Sequence, residues 1–367
     1  MLHARFSPSA AERLIHCPPS LILGEEVNPG DDSSEYSREG TEAHALCEFL
    51  LKTALGEKGL TRPDFNSEEM EECAKGYRDE VLGIYEQLRQ IDPETIISIE
   101  QRVDFSEYAE NAFGTSDCII LGNKKLVVID YKHGKGVPVS AEGDDGNGNP
   151  QLKCYGLAAY LAFSPLFDIE EITLIIYQPR IENFSKYSLS PEALLDWAEK
   201  VLRPTAEKAL HGGGEFSSGE WCRFCKARFV CRKRAEDNLV LARYDFARPD
   251  TLEDDEINVI LGKIDSLKKW AEDVKAYALQ KALSGFVWDD WKLVEGRSNR
   301  KISDEEAVAK IVEEAGFDPY EKKLKSLTEL ESLLGKKKLK DFIIKPAGAP
   351  TLVLRSDKRA EIFGKEM

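Results

Sequence analysis

The sequence predicts an α/β fold in which helices flank a mixed central sheet. Two amphipathic helical patterns open the chain, and three segments rich in apolar and β-branched residues follow them. Helical and strand patterns then alternate, which is typical of α/β proteins. The length of 367 residues and the hydrophobic content of 42% suit a globular protein with more than one domain. We predict one domain over residues 1–240 and a mainly helical C-terminal extension over residues 241–367.

Each predicted element has its own signal. A capping box at Ser9–Glu12 predicts a short helix that ends near Cys17, and a polar loop covers residues 25–39. Gly122-Asn123 predicts a hairpin turn between two strands. The predicted helices cover residues 40–55, 67–91, 150–163, 191–210 and 251–284. The predicted strands cover residues 95–105, 113–121, 125–131 and 169–177. A weaker strand pattern covers residues 287–294, and helical patterns continue to about residue 340.

Composition restricts the class of protein. No run of about 18 apolar residues is present, so we expect no membrane helix, and the first residues do not form a secretory signal. We therefore expect a cytoplasmic protein, in which structural disulfides are rare. The net charge of -16 is unlike that of a simple DNA-coating protein. The acidic excess serves either solvation or the binding of a divalent cation.

Two carboxylates and a lysine are predicted to meet at the ends of two neighbouring strands. Asp117 lies in the second strand, in Gly114-x-x-Asp117, and Asp130-Tyr131-Lys132 ends the third. Residues two apart in a strand share a face, so Asp130 and Lys132 project together and Tyr131 points away. Adjacent carboxylates favour a bound cation, and oxygen ligands favour Mg²⁺ or Mn²⁺. A lysine beside the cation can orient an attacking water.

The alternative is that these are ordinary carboxylates at strand ends, with Lys132 as an ion-pair partner. Asp130 argues against it, because this carboxylate follows four apolar residues of a buried strand, where polar groups usually have a purpose. Three further residues fall where such a site would need them. His44 lies early in a predicted helix, and Gln151 and Tyr155 share one face of another. Taken singly, His44 is more often a histidine of a helix surface or core, and Gln151 and Tyr155 are more often part of an ordinary helix face.

Four cysteines predict a metal centre. Cys222, Cys225 and Cys231 have the spacing C-x2-C-x5-C, which lets thiolates converge on one centre. Cys17 is the best candidate for a fourth ligand, and both zinc and an iron–sulfur cluster accept four thiolates. The alternative is three unrelated cysteines on a cationic loop. The remaining cysteines are predicted to be small buried apolar residues; they are Cys47, Cys73, Cys118 and Cys154.

Together these motifs resemble the PD-(D/E)XK nuclease superfamily, specifically its RecB-like branch with an iron–sulfur cluster. That branch includes AddB-type helicase–nuclease subunits and CRISPR-associated RecB-like exonucleases. The chain also resembles a phage-encoded subset of the branch with a C-terminal extension. The matching motifs span residues 17–231 in the order of the family. They are Cys17, Gly40-Thr41-Glu42-Ala43-His44, Gly114-x-x-Asp117, Asp130-Tyr131-Lys132, Gln151-x3-Tyr155 and Cys222-x2-Cys225-x5-Cys231.

The resemblance implies a restriction-endonuclease-like core, an iron–sulfur segment and a role for each site residue. Lys132 would position the attacking water, and Gln151 and Tyr155 would contact DNA near the scissile phosphate. The implied ligands of Mg²⁺ or Mn²⁺ are His44, Asp117, Asp130 and the carbonyl of Tyr131. The implied ligands of a 4Fe-4S cluster are Cys17, Cys222, Cys225 and Cys231.

The function implied by the resemblance is that of a Mg²⁺- or Mn²⁺-dependent deoxyribonuclease. It would be an exonuclease or end-processing enzyme of phage or bacterial recombination and repair. Its substrate would be single-stranded or end-containing DNA, and its partner a helicase or a single-strand annealing protein. A non-catalytic DNA- or partner-binding module of the same fold is the alternative, and a zinc-stabilised enzyme of other chemistry is a third reading.

Two charged segments remain outside these assignments. The acidic, glycine-rich loop over residues 142–149 precedes Gln151 and is placed to shield a DNA path. The basic runs Lys322–Lys325 and Lys336–Lys340 either contact a DNA backbone or are solvated helix faces.

Overall fold

The computed structural model describes residues 4–27, 35–64, 67–143, 145–241, 252–294, 305–314 and 318–320. The chain forms two compact units, Met1–Leu293 and Val294–Met367. The first unit extends past the predicted boundary at residue 240. The basic runs Lys322–Lys325 and Lys336–Lys340 lie outside the described residues. Among the helices in these ranges, none is long and apolar enough to cross a membrane.

The described helices and strands alternate along the first unit. Its helices are α1 (Ala11–His16), α2 (Ser20–Glu26), α3 (Glu35–Ala54), α4 (Glu68–Ile91), α5 (Pro150–Phe163), α6 (Pro191–Trp197), α7 (Arg203–Leu210), α8 (Arg232–Leu239) and α9 (Asp254–Leu283). Its strands are β1 (Ile96–Asp104), β2 (Phe113–Gly122), β3 (Lys125–Tyr131), β4 (Glu171–Gln178) and β5 (Asn183–Leu189). In the second unit the structure describes α10 (Glu305–Glu314).

The strands form one mixed sheet in the order β1-β2-β3-β4-β5. β3 and β4 are parallel and are connected through α5, whereas the other neighbours are antiparallel. The β2–β3 hairpin turns at Asn123 and Lys124, which both have positive φ, one residue later than the sequence signal suggested. The predicted class, an α/β fold with a mixed sheet flanked by helices, is confirmed.

The sheet is buried on both faces. Leu126 and Val128 of β3 contribute to a core that includes α5, while Val127 and Ile129 contribute to a core that includes α3 and α4. This two-sided burial explains why β3 reads as a continuous apolar run in the sequence. It also leaves the ends of β2 and β3 as the places where polar side chains can gather.

Several element predictions need correction. Residues 183–189 form β5, which the sequence did not reveal because this edge strand alternates half-buried and exposed positions and is largely polar. The loop predicted over residues 25–39 is shorter, since α2 ends at Glu26 and α3 begins at Glu35. Residues 287–294 contain no strand. The predicted helix over 191–210 is present, with a π-helical turn over Ala198–Leu202 before Pro204, whose missing N–H breaks the regular ladder.

Helix α9 is joined to the cysteine segment by a buried ion pair. Asp273 is the buried residue of this otherwise exposed helix. Its Oδ2 accepts a hydrogen bond from Arg234 NH1 at 2.6 Å, and its Oδ1 lies 3.5 Å from Arg228 Nε. One turn further on, Tyr277 stacks on Phe229 with ring centroids 4.5 Å apart. The attachment of α9 therefore depends on residues of the cysteine segment and of α8.

Asp273→Ala should lower the free energy of unfolding by about 3 kcal/mol or more, because it leaves the Arg234 guanidinium buried and unpaired. The matched control is Asp196→Ala, which removes an exposed ion pair with Lys200 and should cost less than about 1 kcal/mol. Urea denaturation of both variants measures the difference. Equal losses in the two variants would contradict a buried, structural role for Asp273.

Candidate functional site

The middle of β2 and the carboxyl end of β3 bring the predicted carboxylates and lysine together. The backbone N–H of Tyr131 donates to Asp117 Oδ2 at 2.7 Å, which fixes Asp117 against the end of β3. Lys132 Nζ lies 2.9 Å from Asp130 Oδ2. The ring of Tyr131 lies in the core on the α3 and α4 side, as the strand alternation predicted.

Helix α3 and strand β1 add two side chains to this end of the sheet. His44 Nδ1 lies 3.2 Å from Asp117 Oδ1. Glu100 of β1 joins them, and one ligand atom from each of His44, Glu100 and Asp117 lies within 4.8 Å of the others. Within the described ranges, this is the group of three His, Cys, Asp or Glu residues that is close enough to share a metal ion. Asp130 lies beside this group rather than in it.

Glu100 is the site residue that sequence reasoning missed. It has φ of +50°, a left-handed backbone conformation that is uncommon for a residue other than glycine. Its neighbours Ile99 and Gln101 pair with Cys118 and Ser116, so Glu100 lies across from Asp117. The loop between β1 and β2 is too long to fix this register by turn type, and the sequence therefore carried no signal for the pairing.

Helix α5 supplies the remaining predicted side chains. Lys132 Nζ donates to Gln151 Oε1 at 3.2 Å, so Gln151 reaches the lysine of the site. Tyr155 is buried one turn further on and packs close to Gly114. A Cβ at Gly114 would lie 2.8 Å from Pro8 Cγ and 3.1 Å from Tyr155 Cε1. Gly114 is therefore required by close packing, which explains the glycine three residues before Asp117.

The site gathers several carboxyl groups in a buried place, where the charged form of each is disfavoured. Burial raises the pKa of the Asp130 carboxyl, and repulsion from Asp117 adds to the rise while Lys132 opposes it. Burial favours a lower pKa for Lys132, but attraction to Asp130 outweighs it and the pKa is raised. The pKa of His44 is likewise raised, since its contact with Asp117 outweighs burial. Burial and the Asp117 charge raise the pKa of Glu100 to about 7.

The residues at this end of the sheet fit a hard divalent cation. Asp130 is 4% exposed, and its Oδ2 has no hydrogen bond in the described structure because Lys132, although near, is not aligned with it. A buried carboxylate oxygen without a hydrogen bond is costly unless a cation joins it. The group of His44, Glu100 and Asp117 adds two carboxylates and one imidazole nitrogen beside Asp130. Mg²⁺ and Mn²⁺ favour such oxygen-rich donors.

A buried polar network supports the backbone between Asp130 and Lys132. The hydroxyl of Tyr131 and Nδ1 of His133 are 2.8 Å apart, and His133 Nε2 lies 3.6 Å from Glu39 Oε1. Arg180 then donates to Glu39 at 2.9 Å and to Glu69 at 2.8 Å. Since Tyr131 also donates its N–H to Asp117, this network holds the residue that positions the carboxylates.

The four predicted cysteine ligands line one cavity. Cys17, Cys222, Cys225 and Cys231 surround it together with three arginines. The arginines are Arg13, Arg228 and Arg234. In the described part of the chain, no three cysteine sulfurs form a group within 4.8 Å of one another. A zinc ion would require sulfurs about 3.8 Å apart, given tetrahedral Zn–S distances of about 2.3 Å.

The cavity therefore does not have the close-set thiolates of a tetrahedral zinc site. Its cationic lining suits four thiolates carrying negative charge. The other cysteines are free thiols; Cys47, Cys118 and Cys154 are buried as predicted, and Cys73 is half-buried.

The fold and these side chains define an α/β protein with a cluster of carboxylates, an imidazole and a lysine at one end of its sheet. A model for a family described as "Protein of unknown function (DUF2800)" matches residues 3–360. The chain belongs to this family. Among solved structures, the chain is similar to one titled "Crystal structure of SSO0001", at 13% identity and a TM-score of 0.27. That match covers 63% of this chain and 87% of the other, and a likeness at this level carries no argument about function.

In EDTA, the free energy of unfolding should fall as the pH rises from about 5 to about 8. The folded state keeps the Glu100 proton up to a pKa of about 7, whereas the unfolded state has already released it. Glu100→Gln removes this loss. The free energy of unfolding of the variant, relative to that of the wild type, should therefore rise with pH, by at most about 3 kcal/mol.

Urea denaturation at both pH values measures this gain, with the exposed Glu72→Gln as the matched control. Addition of Mg²⁺ at pH 8 should stabilise the wild type more than Glu100→Gln, because a ligand that binds the folded state stabilises it. If the stability of Glu100→Gln depended on pH as that of the wild type does, the assignment of Glu100 to the charged cluster would be wrong.

Proposed function

We propose that the chain is a Mg²⁺- or Mn²⁺-dependent deoxyribonuclease with a restriction-endonuclease-like core of the PD-(D/E)XK superfamily, RecB-like branch. One observation carries the proposal: Asp117, Asp130 and Lys132 meet at one end of the sheet, with Gln151 in contact with the lysine. Carboxylates beside a lysine at the end of a buried strand provide the parts needed for metal-assisted phosphodiester hydrolysis.

The proposed metal ligands are those implied by the resemblance together with Glu100. They are His44, Glu100, Asp117, Asp130 and the carbonyl of Tyr131. A divalent cation there would neutralise charge that develops on the phosphate oxygens. The protein fixes these donors before substrate arrives, since Asp117 is held by the Tyr131 amide and by His44.

Lys132 acts beside the ligands in this proposal. Its pKa is raised by the Asp130 and Asp117 charges, so the ammonium stays protonated and donates hydrogen bonds. Contacts to Asp130 and Gln151 aim it at the carboxylate end of the sheet, where it orients an attacking water and stabilises negative charge on the phosphate. Gln151 and Tyr155 on α5 contact the DNA strand near the scissile phosphate.

The four cysteines are proposed to hold a structural 4Fe-4S cluster. Two observations on the described residues favour a cluster over zinc: no three cysteine sulfurs lie within 4.8 Å of one another, and the lining of the cavity is rich in arginine. Joining Cys17 to Cys222, Cys225 and Cys231 closes a loop of about 200 residues, which restricts the unfolded chain. The proposed setting is cytoplasmic recombination or repair in a phage or bacterium, with a helicase or single-strand annealing protein as partner.

The wild type should degrade end-labelled single- or double-stranded DNA in Mg²⁺ or Mn²⁺, and should not do so in EDTA. Asp130→Asn and Lys132→Met should each lower the rate by about 100-fold or more with the fold retained, because each removes a group that stabilises the transition state. Lys125→Met, at the opposite end of β3, is the matched control and should keep the rate. Wild-type protein that binds DNA but never cleaves it would support the non-catalytic alternative.

Cys17→Ser should contain less iron than the wild type and melt at a lower temperature, since the proposed cluster would lose one of its four ligands. Iron analysis, visible absorbance and thermal unfolding of anaerobically purified protein measure these effects. Cys73→Ser on α4 is the matched control and should change none of them. Full iron content and an unchanged melting temperature in Cys17→Ser would refute the ligand assignment. A content of one zinc and no iron per wild-type chain would show that the bound metal is zinc instead of an iron–sulfur cluster.

A further inference from the structure

The loop after Lys132 ends in an exposed tip that the proposed catalytic residues do not use. The tip consists of Gly134, Lys135 and Gly136, all exposed to solvent. It directly follows the carboxyl end of β3, where β3 and β4 are parallel and connected through α5. In parallel α/β arrangements, ligands bind in the crevice outside the carboxyl ends of such strands. The tip therefore lies at the edge of the sheet where substrate is expected.

A buried glutamine holds this loop in place. Gln178 ends β4, is 1% exposed, and donates through Nε2 to the carbonyl of Gly134 at 2.6 Å and to that of Val137 at 2.9 Å. Its Oε1 accepts the N–H of Val139 at 3.1 Å and the Nδ2 of Asn183 at 3.0 Å. The carbonyls of Gly134 and Val137 thus both accept from one buried side-chain amide, which fixes the conformation of the tip.

The tip has unused hydrogen-bond donors and one unpaired cation. Among the described residues, the N–H groups of Lys135 and Gly136 donate no hydrogen bond, and the Lys135 ammonium has no ion pair or hydrogen bond. Lys135 lies near enough to Glu69 to help lower the pKa of that carboxyl, whose main partner is Arg180. Exposed N–H groups beside a cation form a typical phosphate site.

The two glycines of the tip are not explained by the fold. Neither Gly134 nor Gly136 has positive φ, and a Cβ at either position would meet nothing within 4 Å. Backbone conformation and internal packing therefore permit any small residue there. Glycine does have one physical advantage in open space, which is that it allows a ligand to approach the backbone closely.

We propose that Gly134-Lys135-Gly136 binds a backbone phosphate of the nucleic acid strand, next to the phosphate that is cleaved. This inference rests on the proposed nuclease function. Lys135 supplies the countercharge, the free N–H groups contact phosphate oxygens, and Gln178 fixes the loop that carries them. Because every nucleotide has the same phosphate, this contact positions the strand without reading its sequence.

The first test measures binding of a labelled single-stranded oligonucleotide to the full chain in EDTA at several salt concentrations. Lys135→Ala should weaken binding about tenfold, as expected for one charged hydrogen-bonded contact, and should reduce the slope of log K against log salt by about 0.7. Lys58→Ala, an exposed lysine in the α3–α4 connection, is the matched control and should change neither quantity. Lys135→Ala with the affinity and slope of this control would overturn the proposal.

The glycines of the tip allow a second, independent test. Gly136→Ala should weaken the same binding without changing the melting temperature, because its side chain meets only the space reserved for the ligand. Gly83→Ala on α4 also meets nothing within 4 Å and should leave binding unchanged. Unaltered affinity in Gly136→Ala would contradict a close backbone approach. Variants that bind the oligonucleotide normally but differ from the wild type in how inorganic phosphate competes with it would show that the tip binds a free anion. That result would also overturn the proposal.

Cleavage kinetics separate this proposal from the function on which it rests. In Mg²⁺, Lys135→Ala should raise KM about tenfold and change kcat less than twofold, since the contact is made equally before and during the reaction. A wild type that cleaves no DNA would refute the nuclease function, while the EDTA binding experiment would still decide the role of the tip. A large loss of kcat with unchanged KM would contradict a positioning phosphate contact.

Discussion

The register of the β2–β3 hairpin is the constraint on which the candidate site depends. Asn123 and Lys124 make the tight turn, and Gly122 pairs with Lys125, so every later pair along the hairpin is fixed. Cys118 pairs with Ile129, which places Asp117 beside Asp130 at the open end of the hairpin. A slip of one residue would send the Asp130 side chain into the α3 and α4 core. Burial of both faces of β3 makes such a slip prohibitively costly, so hydrophobic burial at the centre of the sheet fixes the carboxylates at its end.

The same end of the sheet concentrates charge in a way that packing alone does not explain. Burial and repulsion from Asp117 raise the pKa values of Asp130 and Glu100, while Lys132 is held charged between Asp130 and Gln151. A fold selected only for stability would replace these groups with apolar residues at little loss. Their assembly on four separate elements is the kind of local conflict that functional sites retain. In a chain with net charge -16, the proposed cation and Lys132 would also give an anionic substrate a local attraction.

Sequence patterns predicted most of the fold because the decisive signals are local. The apolar run before Asp130, the proline that begins α5 and the hairpin turn each act within a few residues. The parts that were missed depend on long-range pairing: β5 is a polar edge strand recognisable only from its pairing with β4, and Glu100 reaches Asp117 through a register that no short turn fixes. The attachment of α9 through Asp273 has the same origin, since nothing near an aspartate in a helix announces a buried arginine 39 positions away.

Packing contacts connect the cysteine cavity to the face of α5 that is proposed to contact DNA. Ring stacking of His16 on Trp221, with centroids 4.1 Å apart, and a hydrogen bond from Ser217 to the His16 carbonyl already join α1 to the cysteine segment. The short helix before α1 carries Pro8, which packs against Gly114 and so against Tyr155. A cluster ligated by Cys17 would therefore fasten elements that already touch, without straining them. Loosening it would first disturb the packing at Gly114 and α5, where DNA is proposed to bind, and only afterwards the carboxylates held by the β2–β3 hairpin.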